Sequence, residues 1–304
     1  MTEMPKKRPK SRWKRTLGHV AGSAAILVVA PMLALLPLDA ASGLSAAVFR
    51  GLGPRLRRSA RTRRNLRLVM PELDDAAVEA IVRDVWDNLG RVFAEYAHMD
   101  AFDAFTPGGR LEVVGHEVLA PYVEAGRPLI YCSAHIGNWE LAGIAAKVYG
   151  TPLNLVYRPA NNPLADWLMR WGRRHSGIHL LPKGAEGARG MIDVLKRGGF
   201  VGILVDQKLS QGVPVPFFGR PAMTSTAPAA LAKKYGAALV MARVVRLSGS
   251  RLRVEVEPPF EPDDTGDRQA DILSTTQKIN DTLERWIRER PGQWVWLHRR
   301  WPDS

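Results

Sequence analysis

The chain predicts an α/β fold: a mostly parallel sheet covered by helices on both faces. Short apolar, β-favouring runs alternate with amphipathic helical stretches between about residues 111 and 205, and repeated strand–helix units of this kind build parallel sheets with helices on each side. A composition of 46% apolar and 24% charged residues over 304 positions is that of a globular protein able to bury a sizeable core.

From the N-terminus, Leu17 to Leu38 is a 22-residue stretch with no formal charge and only His19 to ionise. That length can span a bilayer. Pro31 and Pro37 interrupt it and a second apolar stretch covers Ala40 to Leu52, so an inserted hairpin or re-entrant segment is also physical. A cleaved signal peptide is the competing reading, with Ala40-Ala-Ser42 as the nearest cleavage site. The division expected is a basic, membrane-anchoring segment over residues 1–67, with an inserted helix, and a folded domain over 68–304.

The charge map agrees with that division. The net charge is +13, and residues 1–67 carry all of it, with 15 Lys and Arg against Glu3 and Asp39. Residues 68–304 are balanced, which counts against a nucleic-acid-binding domain, since that needs cations clustered on the fold itself. Basic collars on both sides of the apolar run suit an anionic membrane surface.

Asp74 and Asp75 open a helix whose apolar stripe runs through Val78, Ile81, Val85, Leu89 and Val92. Strands are expected near Leu111–Val114, Leu129–Ser133, Leu153–Tyr157, Ile178–Leu181 and Phe200–Val205, with helices at Glu140–Tyr149, Pro163–Arg174 and Glu186–Lys196. Ala238–Leu247 and Arg251–Glu257, joined by Ser248-Gly249-Ser250, read as a hairpin. A helix over Ala270–Arg290 precedes a Trp-rich tail. Cys132, the one cysteine, falls inside a strand and reads as a buried thiol.

Chemistry concentrates in His135-Ile-Gly-Asn-Trp-Glu140, where a strand hands over to a helix. Crevices that bind ligands in open α/β sheets lie outside such strand ends. Gly137 can supply the turn and Asn138 the N-cap. If Glu140 folds back to accept the Nδ1 hydrogen of His135, Nε2 is left as a general base for a substrate hydroxyl. The sequence does not identify the oxyanion donors; backbone amides near Gly137 and the guanidinium of Arg173 are the candidates. Arg158 and Arg173 follow strand and helix ends, and their planar forks suit phosphate or carboxylate. Asp206 and Gln207 end another strand. Phe217 and Phe218, in the Pro-bounded loop expected over Val213 to Gly219, could line an acyl slot, dip into lipid or pack in the core. Trp294 and Trp296 could sit at a membrane interface or belong to a tail docked on the domain.

His175 and His179 are separated by Gly177 and a strand start, and no His-Glu-x-x-His, cysteine pair or carboxylate cluster is present. No metal or other cofactor is expected. Nucleophile-elbow and Walker patterns are also missing.

The His-x4-Glu box resembles that of the glycerolipid and lipid A acyltransferase superfamily. Ser-Ala-His-Ile-Gly-Asn-Trp-Glu-Leu-Ala-Gly is most similar to the late acyltransferases of lipid A synthesis. Further blocks follow in the same order: Tyr157-Arg158-Pro159 with Asn161-Asn162-Pro163, Trp171-Gly172-Arg173, Val205-Asp206-Gln207, Val213 to Gly219, and Gln293 to Trp301. The stretch Lys208 to Gln211 and the segment Met223-Thr224-Ser225 match less well. The resemblance implies a glycerolipid acyltransferase-like fold and transfer of a fatty acyl chain from acyl carrier protein to a hydroxyl of a Kdo-bearing lipid A precursor, without a covalent acyl-enzyme. It implies His135 and Glu140 as catalytic, and Asp206 as a substrate-positioning or structural acid. It also places the enzyme at the cytoplasmic face of a bacterial inner membrane, with membrane lipids as further partners. Two rivals are an acyltransferase for another glycolipid, such as a phosphoinositide mannoside, and a membrane-tethered basic binding protein.

Overall fold

A computed structural model describes residues 29–104, 106, 108–157, 159 and 162–302. The stretch Leu17 to Leu38 lies mostly outside these residues, as does Arg158. Among the described residues no helix is long and apolar enough to cross a membrane.

In chain order the elements are α1 (Leu38–Leu52), α2 (Ser59–Val69), α3 (Asp75–Glu95), β1 (Leu111–Val114), α4 (Ala120–Glu124), β2 (Leu129–Ser133), α5 (Ala142–Val148), β3 (Leu153–Tyr157), α6 (Pro163–Gly172), β4 (His179–Pro182), α7 (Ala185–Lys196), β5 (Phe200–Leu204), β6 (Val213–Phe217), β7 (Arg220–Thr224), α8 (Ala227–Tyr235), β8 (Ala238–Ser248), β9 (Arg251–Val256) and α9 (Arg268–Glu289). Seven strands form one sheet in the order β1-β9-β8-β2-β5-β3-β4. β8, β2, β5, β3 and β4 run parallel, and β9 turns back against β8 as the expected hairpin. The fold is the mixed α/β arrangement that the strand–helix alternation predicts.

Strand alternation divides the core. Ile130 and Cys132 of β2 join a large cluster with Val78, Val82 and Val85 of α3, Val194 and Leu195 of α7, and Ile279, Leu283 and Trp286 of α9. Leu129 and Tyr131, on the opposite face, pack with Leu119, Ala146, Val240 and Ala242. Cys132 is fully buried, and burial pushes its thiol up to about 12, which leaves it inert.

Local chemistry sets the helix starts. The Asp74 carboxylate accepts the Ala77 amide at 2.7 Å to cap α3, and Asp267 caps α9 by accepting the amides of Gln269 and Ala270. The segment Val213 to Gly219, expected as a loop, instead supplies β6 of a separate two-stranded hairpin with β7. Pro214 and Pro216 point outward on it while Val215 and Phe217 turn in, which a hairpin tolerates because a missing N–H costs little on an edge strand.

One polar network crosses the interior. Arg246 of β8 grips the carboxylate of Glu95 at 2.6 and 2.9 Å, and Asn138 donates to the same carboxylate at 2.8 Å. Asn88 joins Arg246 at 2.9 Å and donates to the Gly137 carbonyl at 2.9 Å. Glu95 is fully buried, so removing it strands a guanidinium away from water. We expect Glu95→Ala to cost about 3–5 kcal/mol in chemical denaturation, the usual effect of breaking a buried pair from one side.

Candidate active site

β2 and β5 are adjacent and parallel, with Ser133 opposite Leu204. Two residues beyond that register lie His135 and Asp206, and they meet. Nδ1 of His135 bonds Asp206 Oδ1 at 2.8 Å, and the His135 backbone N–H bonds Oδ2 at 3.1 Å. The Trp294 indole donates to Oδ2 at 2.8 Å. Three donors therefore converge on a carboxylate with no exposed surface, the arrangement that lets a buried charge persist.

This corrects the partner expected for His135. Glu140 does not accept the Nδ1 hydrogen. It turns away to a bidentate pair with Arg173, Nε to Oε2 and Nη2 to Oε1, both at 2.6 Å, while the Trp139 indole donates to Oε1 at 3.0 Å. The reason is local. Residues Trp139–Leu141 form a 3-10 turn capped by the Asn138 side chain, which accepts the Glu140 amide at 3.3 Å. That turn directs the Glu140 side chain into the protein, where it is buried beside Arg173. Arg173 is thereby committed to an internal ion pair rather than open for phosphate.

The backbone of the box is equally fixed. The Gly137 amide donates to the Gln293 carbonyl at 3.1 Å, and Val295 donates to the His135 carbonyl at 3.1 Å, so Ile136 and Trp294 pair like strands. Gly137 has φ +58°, and a Cβ there would stand 2.0 Å from the Val244 carbonyl oxygen, which explains the glycine. Of the oxyanion candidates, the Gly137 amide and the Arg173 guanidinium both have partners.

Electrostatics separate the two imidazoles near this point. Burial alone would lower the pKa of His135, but the charge and hydrogen bond of Asp206, helped by Glu140, outweigh it and raise the value above 6.5. Burial would raise Asp206, yet His135, His298 and Trp294 hold it well below the usual carboxylate range. His298, half-buried in the tail, is pushed down to about 4 by burial, with His135 and Arg61 adding to the effect against Asp206. The Gln207 amide nitrogen stands 3.2 Å from Nε2 of both His135 and His298.

Ligand atoms of His135, Asp206 and His298 lie within 4.8 Å of one another, the one such grouping found among the described residues. Both Asp206 oxygens and His135 Nδ1 already have hydrogen-bond partners, so the donor set fits a proton relay better than a coordination shell.

Beside the His135 box, an apolar cavity runs between the sheet and α5. Ser133, Trp139, Glu140 and Arg173 line it near the box, and Tyr131, Leu155, Ala142, Ala145, Ala242 and Val254 line it further in. Phe217, Phe218, Trp294 and Trp296 do not line it. They form a buried aromatic cluster with Trp301, with ring centroids 4.6 to 6.4 Å apart along the chain of contacts. Of the alternatives for these four, the acyl-slot and membrane contacts are replaced by core packing and a docked tail, with Arg300 donating to the Met223 carbonyl and the Thr224 hydroxyl at 2.8 Å. Sequence reading also passed over His298, since its place in the site depends on that docking.

A base must be neutral to accept a proton, so activity should fall as acid protonates His135. The acid limb of kcat/KM is expected above the ordinary imidazole value of about 6.5. Asp206→Asn removes the charge that opposes burial, so NMR titration of His135 should show its midpoint moving down, and the kinetic limb should move with it.

Residues 4–303 match the family model described as bacterial lipid A biosynthesis acyltransferase. The chain is 30% identical over 259 residues to the lipid A biosynthesis lauroyltransferase of Escherichia coli, covering 80% of this chain and 79% of that protein. It is 28% identical over 254 residues to the lipid A biosynthesis palmitoleoyltransferase of Escherichia coli, covering 80% and 78%. It is 25% identical over 245 residues to the phosphatidylinositol mannoside acyltransferase of Mycolicibacterium smegmatis, covering 79% and 78%. A relay-poised histidine beside an apolar cavity is thus found in an acyltransferase, and this chain belongs to the bacterial lipid A biosynthesis acyltransferase family.

Proposed function

We propose that this enzyme moves a fatty acyl chain from the thioester of acyl carrier protein to a hydroxyl of a Kdo-bearing lipid A precursor. The observation that carries the mechanism is the hydrogen bond from His135 Nδ1 to the buried Asp206 carboxylate, which leaves Nε2 as the proton acceptor. The acceptor hydroxyl gives its proton to Nε2 while its oxygen attacks the thioester carbonyl. Asp206 stabilises the imidazolium formed. Collapse of the tetrahedral intermediate breaks the C–S bond, and the departing thiolate takes the proton back from Nε2. No acyl-enzyme is needed. Glu140, kept charged because the Arg173 hydrogen bonds outweigh its burial, acts here by holding the turn and the cavity mouth.

The apolar cavity accepts the acyl chain in this reading, replacing Phe217 and Phe218 as the slot. Gln207 sits where the acceptor approaches, and Asn138 supports the box through its cap and its bond to Glu95.

The setting proposed is the cytoplasmic face of a bacterial inner membrane. What supports it among the described residues is an exposed stripe on and after α1, Leu44, Val48, Leu52 and Leu56, beside exposed Arg55, Arg57 and Arg58. Apolar rows flanked by arginines suit the interface of an anionic bilayer. The residue 1–67 anchor and 68–304 catalytic domain remain the proposed division. A phosphoinositide mannoside is the second reading for the acceptor, favoured by the similarity to the mycobacterial enzyme.

Transfer is tested with acyl carrier protein thioester and a tetraacylated Kdo-bearing precursor, read by mass spectrometry, with a phosphoinositide mannoside acceptor in parallel. His135→Ala is expected to lower kcat by about 10²–10⁴-fold, the range of general base catalysis, with Asp206→Ala close behind. Full activity in Asp206→Asn alongside an inactive but folded Glu140→Gln would show that the relay has been assigned to the wrong carboxylate.

A further inference from the structure

Gln207 marks a point in the site that a substrate must take. Its amide nitrogen lies 3.2 Å from Nε2 of His135 and 3.2 Å from Nε2 of His298, and the two rings stand 5.6 Å apart between centroids. Because His135 spends its Nδ1 hydrogen on Asp206, its Nε2 is a lone pair, and the group facing it must be a donor. The geometry points to His298 as a second contact for the acceptor, with the acceptor hydroxyl displacing the Gln207 amide and lying between the two Nε2 atoms.

This rests on the acyl-transfer reading above and adds the residue that fixes the acceptor oxygen. A hydroxyl has one hydrogen, which goes to His135 Nε2. In the resting site the Gln207 N–H also faces a lone pair on His298 Nε2; once the hydroxyl displaces that amide, the neutral His298 imidazole carries its hydrogen on Nε2 and donates it to the hydroxyl oxygen. One acceptor and one donor set at one point orient the oxygen toward the thioester carbon, and such orientation is a large part of what a bimolecular step needs. His298 exchanges no proton in the overall balance: the hydroxyl proton moves to His135 and then to the thiolate.

Two further observations support the role. The tail that carries His298 is clamped rather than loose, since Asn65 Nδ2 donates to the His298 carbonyl and Arg61 to the Leu297 carbonyl, both at 3.0 Å. The surroundings also keep the two imidazoles in different states. Burial together with His135 and Arg61 holds His298 neutral against the pull of Asp206, while Asp206 makes His135 the more basic of the two. Titratable groups whose environments pull their pKa values apart mark a division of labour. His298 therefore does not compete for the proton.

The test uses the full chain and measures donor and acceptor kinetics separately for wild type, His298→Leu and His298→Gln. Both variants keep side-chain bulk, and only glutamine keeps an N–H donor. His298→Leu should raise the acceptor KM or lower kcat at saturating donor by at least about tenfold, the scale of one lost hydrogen bond, with the donor KM unchanged. His298→Gln should recover part of that loss, and the acid limb set by His135 should stay in place for both. Wild-type kinetics from His298→Leu would overturn the inference, as would equal losses on both substrates in the two variants. A wild-type enzyme that acylates neither acceptor would overturn the acyl-transfer reading, and the inference with it.

Discussion

The Asp206 carboxylate is the constraint on which the rest of the site depends. It is buried without exposed surface and accepts from His135 twice and from Trp294 once. Those three donors come from the end of β2 and from the tail, while Asp206 itself follows β5, so one charged group joins three distant segments. A buried charge left with fewer partners would be costly, and the fold meets that demand by bringing the tail over the strand ends. The same bonds fix the tautomer and direction of His135. The burial of Asp206 and the orientation of His135 share a single set of contacts.

Two buried ion pairs support this arrangement from behind. Glu95 with Arg246 holds Asn138 and, through Asn88, the Gly137 carbonyl. Glu140 with Arg173 forms part of the lining of the apolar cavity. Buried pairs of this kind contribute little net stability compared with apolar replacements, but they are severe against partial loss. They hold a polar turn rigid next to an apolar cavity.

Much of the architecture was legible before any coordinates. The Asp74-Asp75 start, the stripe through Val78 and Val85, and the five short apolar runs gave helices and strands in their right places, because amphipathic period and capping are local properties. β6 was missed because its two prolines argue for a loop, and only pairing with β7 outside the main sheet makes a strand possible. Trp294 and Trp296 fitted a membrane interface or a docked tail equally well, since composition cannot distinguish a ring facing lipid from one facing Phe217.

The sequence by itself determined the α/β class, the position of His135 at a strand end, the turn at Gly137, the cap at Asn138 and the inert burial of Cys132. These follow from spacing and from residues within a few positions of each other. Only the tertiary structure decided which carboxylate serves His135. Glu140, five residues away, was the natural partner along the chain, whereas Asp206 is brought to Nδ1 by the pairing of β2 with β5 and the Ser133–Leu204 register. Strand adjacency is a long-range property of the whole sheet, and no local pattern in the chain encodes it.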